Sequence, residues 1–369
     1  MQTTAAVMRE LHEPLSIETI ELDEPEVGEV LIRMTAAGLC GSDLHVLHGH
    51  FPSAVPAVCG HEGAGIVEQV GPGVDGIAVG DQVVHLFVGP CGKCENCLRG
   101  QKTFCTTRAH ADGSFADHTF RMHGTDGTDI ATTLGLGSFS AHTVSPAVNC
   151  AVVPKNLDPL TAALISCGVS TGVGAVLNVA RTQPGDSVAV IGVGGVGAAA
   201  ILGAVLGGAS HIIGIDILEA KRDVALSLGA TDFVLASDQD PRAEISRITD
   251  GRGVDRVLLT ADTIRPEMYS LAIEALAPGG AAVQVGASTP GLDHIPVSPS
   301  LFVKQASFTG TAYGGMDPAR DARKYADLAL SGRLPVERLV TRTYALEQIN
   351  DAFDDLAAGR NIRGVVVFA

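Results

Sequence analysis

The pattern of apolar and polar positions changes near residue 159. Before that point, residues 4–8 and 30–35 are apolar or alternate between apolar and polar, and a turn signal at residues 26–28 separates them. Residues 60–80 hold seven glycines among short Val and Ile runs. Period-two alternation with glycines at sharp corners predicts a strand-rich, barrel-like region.

After residue 159, short apolar runs alternate with helical patterns. Asp158 and Pro159 fit a helix N-cap and first turn. We expect strands at 187–191, 211–215, 254–259, 281–285, 307–311 and 364–368, and helices at 198–207, 219–228, 319–330 and 346–359. Strands that alternate with helices predict a parallel sheet with helices on both faces. The polar, Gly-rich residues 89–145 predict a long loop.

The charge balance of the 369 residues excludes some function classes. Lys plus Arg is 25 and Asp plus Glu is 41, a net charge of −16. This argues against a nucleic-acid binder or a basic membrane-surface protein. The N-terminus lacks the pattern of a secretory signal, so we expect a cytoplasmic protein. Residues 187–210 carry no charge, but their seven glycines argue against a membrane span.

A glycine motif follows the predicted strand at 187–191. Gly192, Gly194 and Gly197 fit G-x-G-x-x-G, with Gly195 and Val196 inside the motif. Such a motif between a strand and a helix binds the pyrophosphate of a dinucleotide at the helix N-terminus. Asp216, 19 residues beyond Gly197, closes the next strand. A carboxylate there suits a ribose diol and would repel a 2′-phosphate, which favours NAD over NADP. The alternative is a ligand-free turn with Asp216 as a helix cap.

Four of the eight cysteines lie within 15 residues. Cys91, Cys94, Cys97 and Cys105 have the spacing C-x2-C-x2-C-x7-C. Four thiolates can close a tetrahedral shell around zinc and leave no place for substrate, so this site should be structural. Iron–sulfur ligation is the competing interpretation, but the third spacing is long and no proline follows Cys105.

Three further features offer ligands for a second metal. They are Cys40 in Cys-Gly-Ser-Asp-Leu-His, His61 in Gly-His-Glu, and Cys167 in Ser-Cys-Gly-Val-Ser-Thr-Gly. Two thiolates and one imidazole leave a fourth position for water or substrate, as in catalytic zinc sites. Because the residues are spread over the chain, spacing alone does not decide the matter. Each one singly could be a buried cysteine or a satisfied histidine.

In this order, these motifs resemble the zinc-dependent medium-chain alcohol dehydrogenases over nearly the whole chain, up to the C-terminal Gly-Arg-Asn-Ile-Arg-Gly at 359–364. The 33 residues between Cys105 and Phe139 match the long loop of the dimeric alcohol and thiol-dependent formaldehyde dehydrogenase branch, in its bacterial members. The resemblance implies a Rossmann doubly wound sheet plus a strand-rich, GroES-like barrel catalytic domain. It implies a catalytic domain at 1–168 with a zinc lobe at about 89–106, an NAD-binding domain at 169–312, a return at 313–369, and a cleft between them that holds the active site.

The resemblance also implies residue roles. Cys40, His61 and Cys167 would hold a catalytic zinc, and the four clustered cysteines a structural zinc. Ser42 would take the substrate proton and pass it along the nicotinamide ribose to His45, although His48 and His50 leave that choice open. Asp43 would fix the His61 ring and Glu62 would lie behind the zinc. The remaining implied contacts are Asp216 and Lys221 with the adenosine ribose, Thr171 near the nicotinamide, and Arg363 at the pyrophosphate.

Some positions depart from the family pattern or stay open. Residue 41 is Gly where many relatives carry Arg or His, so a cation at the pyrophosphate is missing. Cys59 and Cys150 have no predicted role. The substrate pocket would include Phe87 and the loop around Arg108 and His110, with Thr133, Leu134 and Ala287 as weaker candidates. The alternatives are a solvated loop and, for Phe87, simple core packing.

The sequence therefore predicts a two-zinc, NAD-dependent homodimer that converts a primary or secondary alcohol to an aldehyde or ketone, with a homotetramer as the alternative assembly. Two alternatives within the family are a thiol-dependent S-(hydroxymethyl) adduct dehydrogenase and an alcohol dehydrogenase with tightly bound NAD. A non-catalytic binding protein on this scaffold is a remote alternative, and the intact ligand set disfavours it.

Overall fold

The computed structural model describes residues 1–107, 112–289 and 291–369. The chain forms two compact units. The first unit comprises Met1–Gly168, Asp317–Gly332 and Val340–Ala369, and the second comprises Val169–Met316 and Arg333–Leu339.

The first unit is built mainly from strands, numbered here along the chain. They are β1 Gln2–Met8, β2 Ser16–Leu22, β3 Glu29–Gly38, β4 Ala57–Val58, β5 Glu62–Val70, β6 Gln82–His85, β7 Met122–Gly124, β8 Asp129–Thr132, β9 His142–Pro146, β10 Cys150–Val153, β19 Val340–Tyr344 and β20 Arg363–Val367. Strands β1, β2, β7, β8 and β4 close a barrel, and a second sheet has the order β10–β6–β5–β3–β20–β19 with β9 paired to β3. Its helices are α1 Gly41–Leu47, α2 Glu95–Leu98, α3 Pro159–Ile165, α10 Pro318–Leu330 and α11 Ile349–Ala357. The barrel-like region predicted from alternation and glycines is confirmed.

The second unit is a six-stranded parallel sheet flanked by helices. Its strands are β11 Ser187–Ile191, β12 His211–Asp216, β13 Asp232–Leu235, β14 Val254–Leu259, β16 Leu276–Gln284 and β18 Ser307–Gly310, with a small pair β15 Thr263–Ile264 and β17 Ala287–Ser288. The order β13–β12–β11–β14–β16–β18 is the doubly wound order 3-2-1-4-5-6. Its helices are α4 Gly168–Gly174, which starts at the last residue of the first unit and runs into the π-helical turn Ala175–Val179, α5 Gly195–Leu206, α6 Arg222–Ser227, α7 Pro241–Ile248, α8 Pro266–Glu274 and α9 Ser300–Val303.

The chain leaves the second unit slightly later than the sequence indicated. Residues 313–316 stay with that unit because the 3-10 turn Tyr313–Gly315 packs on its first helix, and Asn178 Nδ2 donates to the Gly314 carbonyl at 3.3 Å. A short segment, Arg333–Leu339, also returns to it. Segments of only four to seven residues are too short for hydrophobic periodicity to show which unit they belong to.

The prediction of one long loop at 89–145 is wrong for its second half, which contains strands from residue 122 onward. Strands β7 and β8 form a hairpin there, with Met122 paired to Ile130, and both side chains are fully buried in the barrel core. Asp126-Gly127 makes the turn, with φ +82° at Gly127. The Asp-Gly signal for a hairpin is present in the sequence, but three- and four-residue strands are too short to show alternation.

Among the described residues, no single helix is long and apolar enough to cross a bilayer, and only one bent pair of shorter helices passes that test together.

Candidate active site

The candidate active site of the first unit lies where three neighbouring strands meet. Strand β3 pairs antiparallel with both β5 and β20, so Gly38 at the end of β3 faces Glu62 at the start of β5 and Val365 near the start of β20. Cys40 follows β3 directly, and His61 immediately precedes β5. The hydrogen-bond register of one sheet therefore brings residues that are distant in sequence to one place.

The structure brings Cys40, His61, Glu62 and Cys167 together. One ligand atom from each of the four lies within 4.8 Å of the others, and all four residues are buried. His61 Nδ1 lies 3.0 Å from Asp43 Oδ1, which fixes the ring and leaves Nε2 to face a metal. Soft thiolates, an imidazole and a carboxylate in a dry site form a donor set that suits zinc. The residues that the resemblance assigned to catalytic zinc thus fit that metal.

Burial, hydrogen bonds and nearby charges shift the pKa values of the candidate metal ligands. A hydrogen bond between the two thiols lowers the pKa of Cys40 well below its usual value and raises that of Cys167. Burial opposes a charge on His61, but the Asp43 carboxylate and the Cys40 sulfur together raise the His61 pKa well above its usual range. Since a metal binds thiolate and neutral imidazole, metal binding here must release protons.

Glu62 has a buried partner behind the ligands. Its carboxylate is ion-paired with the Arg363 guanidinium, and the side chains are 0% and 4% exposed. Burial raises the pKa of Glu62 to about 8 although Arg363 opposes that shift. A Cβ on Gly38 would overlap the Glu62 carboxylate, and one on Gly168 would come within 2.5 Å of Arg363 Nη1. Two glycines therefore make room for the ion pair.

The Arg363 pairing departs from the role implied by the resemblance. That role was contact with the cofactor pyrophosphate, whereas the structure directs the guanidinium onto Glu62 with Arg363 only 3% exposed. The sequence offered no signal for this ion pair, because its partners are 301 residues apart.

The four clustered cysteines form a separate group in the same unit. Their sulfur atoms lie within 4.8 Å of one another. A tetrahedral zinc with Zn–S bonds of about 2.3 Å separates its ligands by about 3.8 Å, and Cys94 Sγ lies 3.9 Å from Cys105 Sγ. The backbone N–H groups of Cys91 and Cys94 donate to sulfur atoms at 3.4 and 3.3 Å. Such N–H bonds favour thiolates, and hydrogen bonds from the backbone of Thr106 and Cys97 lower the pKa of Cys94 to about 6.

The other two cysteines, Cys59 and Cys150, are buried and unreactive as thiolates. Cys59 is fully buried and Cys150 is 7% exposed. Burial raises the pKa of each thiol to about 12. Both are therefore protonated thiols at neutral pH, and neither belongs to a metal-ligand group formed by the described residues.

Helix α1 carries the residues assigned to proton transfer. Cys40 is its N-cap, Ser42 and Asp43 lie in its first turn, and His45 lies in its last turn. Ser42 and His45 are three residues apart, so they share one face of the helix. Both are partly buried.

The glycine motif has the geometry that a dinucleotide requires. Gly192 has φ +97°, and a Cβ there would lie 2.5 Å from the Ala261 nitrogen. A Cβ on Gly197 would collide with the Gly192 carbonyl. Gly194, by contrast, has open space around its Cβ position and is the N-cap of α5. The helix thus packs tightly on its strand while its N-terminus stays accessible to a phosphate.

Asp216 is already engaged by the backbone of this loop. Its Oδ2 accepts the Val193 N–H at 2.7 Å and its Oδ1 accepts the Leu218 N–H at 3.0 Å. Each carboxylate oxygen keeps a second lone pair for a ribose hydroxyl. Burial lowers the pKa of nearby Lys221 although Asp216 opposes that shift. Gly195 and Val196 open helix α5, and Thr171 lies in α4.

The predicted pocket residues fall in different places. The Phe87 ring meets the His61 ring edge-on, with centroids 6.0 Å apart. Leu134 is 43% exposed with φ +58°, Thr133 lies beside it, and Ala287 is in β17 of the second unit. His110 and Arg108 lie outside the described residues.

Comparison with known proteins agrees with this geometry. Residues 26–155 match the model for the alcohol dehydrogenase GroES-like domain, and residues 195–331 match the zinc-binding dehydrogenase model. The chain is 37% identical over 369 residues to putative alcohol dehydrogenase D of Mycobacterium tuberculosis, covering all of both chains. The chain belongs to the zinc-dependent medium-chain alcohol dehydrogenases.

Two further similarities extend this result. An NDMA-dependent alcohol dehydrogenase of Amycolatopsis methanolica is 37% identical, covering 100% of this chain and 99% of the relative. A crystal structure of an alcohol dehydrogenase zinc-binding domain protein from Burkholderia ambifaria has a TM-score of 0.94 at 35% identity, with 100% and 99% of the two chains covered. The predicted family and fold class are confirmed. This medium-chain dehydrogenase is thus an oxidoreductase that uses zinc and a nicotinamide cofactor.

Proposed function

We propose that this dehydrogenase oxidises a primary or secondary alcohol to an aldehyde or ketone, with NAD as the hydride acceptor. The observation that carries the proposal is the buried convergence of Cys40, His61 and Cys167, with Asp43 holding the His61 ring at 3.0 Å. When bound, zinc supplies Lewis acidity toward a hydroxyl oxygen and NAD supplies the acceptor for hydride.

Side chains of the protein orient the substrate and carry away its hydroxyl proton. Ser42 hydrogen-bonds the substrate hydroxyl and hands on its proton, because a serine hydroxyl is too weak a base to keep it. His45, on the same face of α1, takes that proton toward solvent, since an imidazole can accept a proton at one nitrogen and release one from the other. Phe87 beside His61 gives the substrate an apolar contact and excludes water.

We assign the four clustered cysteines to a structural zinc. Their shell is complete with four sulfur atoms, which leaves no position for substrate. Together with the open group, this gives two zinc ions per chain.

Preference for NAD over NADP is assigned to Asp216. Its carboxylate stands at the end of β12 beside the glycine loop, where it would accept ribose hydroxyls and repel a 2′-phosphate. We expect Asp216→Asn, which keeps an acceptor for the Val193 N–H, to narrow the kcat/KM preference for NAD about tenfold, worth about 1.4 kcal/mol. Exposed Asp238→Asn, which removes the same charge from the same unit, should leave the preference unchanged. An unchanged preference in Asp216→Asn would contradict this assignment.

A spectrophotometric screen tests the main proposal. Purified protein is mixed with NAD and a panel of alcohols, with and without low-molecular-weight thiols, and NADH formation is followed. Turnover without thiol supports the proposal, and turnover only with thiol and formaldehyde supports the S-(hydroxymethyl) adduct reaction instead. The absence of NADH with every alcohol contradicts the proposal that NAD is a dissociating co-substrate.

A second candidate keeps NAD bound through the whole cycle. One relative is named for its dependence on NDMA, a compound other than a nicotinamide. Nicotinamide that survives gel filtration, together with alcohol turnover that requires an added electron acceptor, would favour this candidate over the first.

We also propose that the active protein is a cytoplasmic homodimer joined through β18. This strand is the last in its sheet and is largely exposed. Phe302, Val303 and Val297 nearby are 87%, 75% and 65% exposed. A second copy would pair the open edge and cover these side chains. Sedimentation should give twice the chain mass, and Phe302→Asp should lower it to one chain.

A further inference from the structure

Helix α1 ends in a turn that folds His50 back onto His45. The C-cap is His48, and Gly49 follows with φ +66°. The Gly49 N–H donates to the Val46 carbonyl at 2.9 Å, and the His50 N–H donates to the His45 carbonyl at 2.8 Å. These two bonds define a Schellman motif, in which the second residue after the cap contacts the third-last residue of the helix. That contact is normally apolar, but in this chain both residues are histidines.

The two imidazoles share a hydrogen bond. His45 Nδ1 lies 3.1 Å from His50 Nδ1, and the ring centroids are 5.4 Å apart. One nitrogen must therefore carry the proton and the other must accept it. The Phe51 ring packs 5.1 Å from His45, and the Phe51 N–H also donates to the His45 carbonyl, at 3.1 Å. Helix termination thus fixes the backbone at both ends of this contact.

The pair has an inner and an outer member. His45 is partly buried, and its Nε2 atom is buried. His50 is exposed. A proton that reaches His45 from inside therefore has a second imidazole between it and water.

We propose that His50 is the outer member of a two-histidine proton relay and passes to water the proton that leaves His45. For each alcohol oxidised, one proton reaches His45, one crosses from His45 Nδ1 to His50 Nδ1, and one leaves His50 for water. Reorientation of the two rings then restores the starting tautomers, and no carbon bond changes. The relay rests on the proposed function, and His50 is a positioning residue that acts through His45.

Other charged groups lie around the pair and are part of its environment. The His48 ring is 5.9 Å from His50 and stacks on His12 at 6.3 Å. Helix α11 packs against α1 and carries Asp351, Asp354 and Asp355. Asp355 is tied to Tyr344, Arg342 and Arg360. His48 therefore offers a matched control, because it is an exposed histidine next to the pair whose ring stacks on His12.

The kinetic test follows proton release in the first turnover with a pH indicator. We expect His50→Gln to slow release about 3–10-fold, below the 10²–10⁴-fold ceiling for a lost acid–base group, because His45 keeps its position. His48→Gln should match the wild type. Added imidazole should restore release in His50→Ala, which a purely structural defect would not allow. Proton release in His50→Gln at the wild-type rate overturns the relay.

A second test needs no turnover and uses the protein without substrate. Nitrogen NMR distinguishes histidine tautomers, and we expect His45→Gln to change the tautomer of His50. An unchanged His50 signal overturns the shared hydrogen bond. A wild-type protein that oxidises no alcohol under any condition overturns both the proposed function and the relay, whereas an active wild type with unaffected His50 variants overturns the relay alone.

Discussion

The two cysteine-containing clusters of the first unit are assembled in opposite ways. The closed cluster takes its four ligands from 15 consecutive residues, and two of them, Cys91 and Cys94, are partly exposed. The open cluster takes Cys40, His61 and Cys167 from three separate segments and buries every one. Backbone N–H groups support the sulfur atoms of the closed cluster, whereas charged side chains support the open one.

This difference follows from what each site must do. A closed shell of thiolates satisfies its metal completely and needs only a tight local turn. An open site must hold incomplete coordination in a dry place, so its charges have to be balanced by Asp43, Glu62 and Arg363. Asp43 comes from helix α1, and Glu62 and Arg363 come from strands β5 and β20, so the open site depends on several parts of the unit.

The largest expected effect is on activity at the open cluster. Cys167→Ser should leave one zinc per chain and lower kcat/KM by at least about 10⁴-fold, or about 5.5 kcal/mol, because the Lewis acid is lost. Metal analysis and steady-state kinetics measure this. Cys59→Ser, an adjacent buried thiol outside the cluster, should keep two zinc ions and its activity. Full activity with one zinc in Cys167→Ser would show that the open cluster is not catalytic.

The closed cluster was easier to predict from the sequence than the open one, because its ligands are close together in the chain. The Cys91–Cys105 spacing lies within one local segment, so it predicted the closed group by itself. The open group required a family resemblance, because only the β5–β3–β20 register brings Cys40 and His61 together. The Glu62–Arg363 pair and the contact of His50 with His45 were not predicted. The first is set by strand pairing across 301 residues, and the second by a helix-terminal turn whose Gly-His signal is short.

The second unit was easier to predict than the first. Five of the six strands in its main sheet lie where apolar runs and alternating helices indicated. The inner strands of a parallel sheet are buried on both faces and read as continuous apolar segments. The sixth, β13 at Asp232–Leu235, is a four-residue strand and was not predicted. Residues 89–145 failed for the same reason, since their strands have three to five residues.

The next largest effect concerns the buried ion pair behind the open cluster. Arg363→Met should lower the free energy of unfolding by about 3–5 kcal/mol, because it removes the guanidinium partner of the fully buried Glu62 carboxyl. Arg33→Met is the control: it breaks an exposed pair with Glu68 in the same sheet, between β3 and β5, and should cost at most about 1 kcal/mol. Denaturant titration measures both. Adding Glu62→Gln to Arg363→Met should recover part of the loss, and equal costs for the two single variants would contradict the contrast between buried and exposed charges.

A smaller effect on activity is expected at the closed cluster. Cys97→Ser should release one zinc and loosen the lobe around α2, which limited proteolysis would detect as new cleavage there. Because no substrate position belongs to this shell, activity should fall less than about tenfold, or 1.4 kcal/mol. Cys150→Ser, a buried thiol outside both clusters, should keep both zinc ions and resist cleavage. A loss of activity as large as that of Cys167→Ser would remove the functional distinction between the clusters.

The last effect concerns a buried histidine near the open cluster and appears only in acid. His85 is 1% exposed, lies 2.8 Å from Ser138 Oγ, and burial lowers its pKa to about 3. Between about pH 6.5 and that value the unfolded chain binds a proton that folded His85 does not, so stability falls as pH falls, by up to about 1.4 kcal/mol per pH unit. His85→Gln should flatten this dependence between about pH 6.5 and 5, while exposed His294→Gln should follow the wild type. Parallel curves of unfolding free energy against pH for His85→Gln and wild type would mean that His85 takes up its proton in the folded state. Water would then reach the His85 ring more readily than its burial indicates.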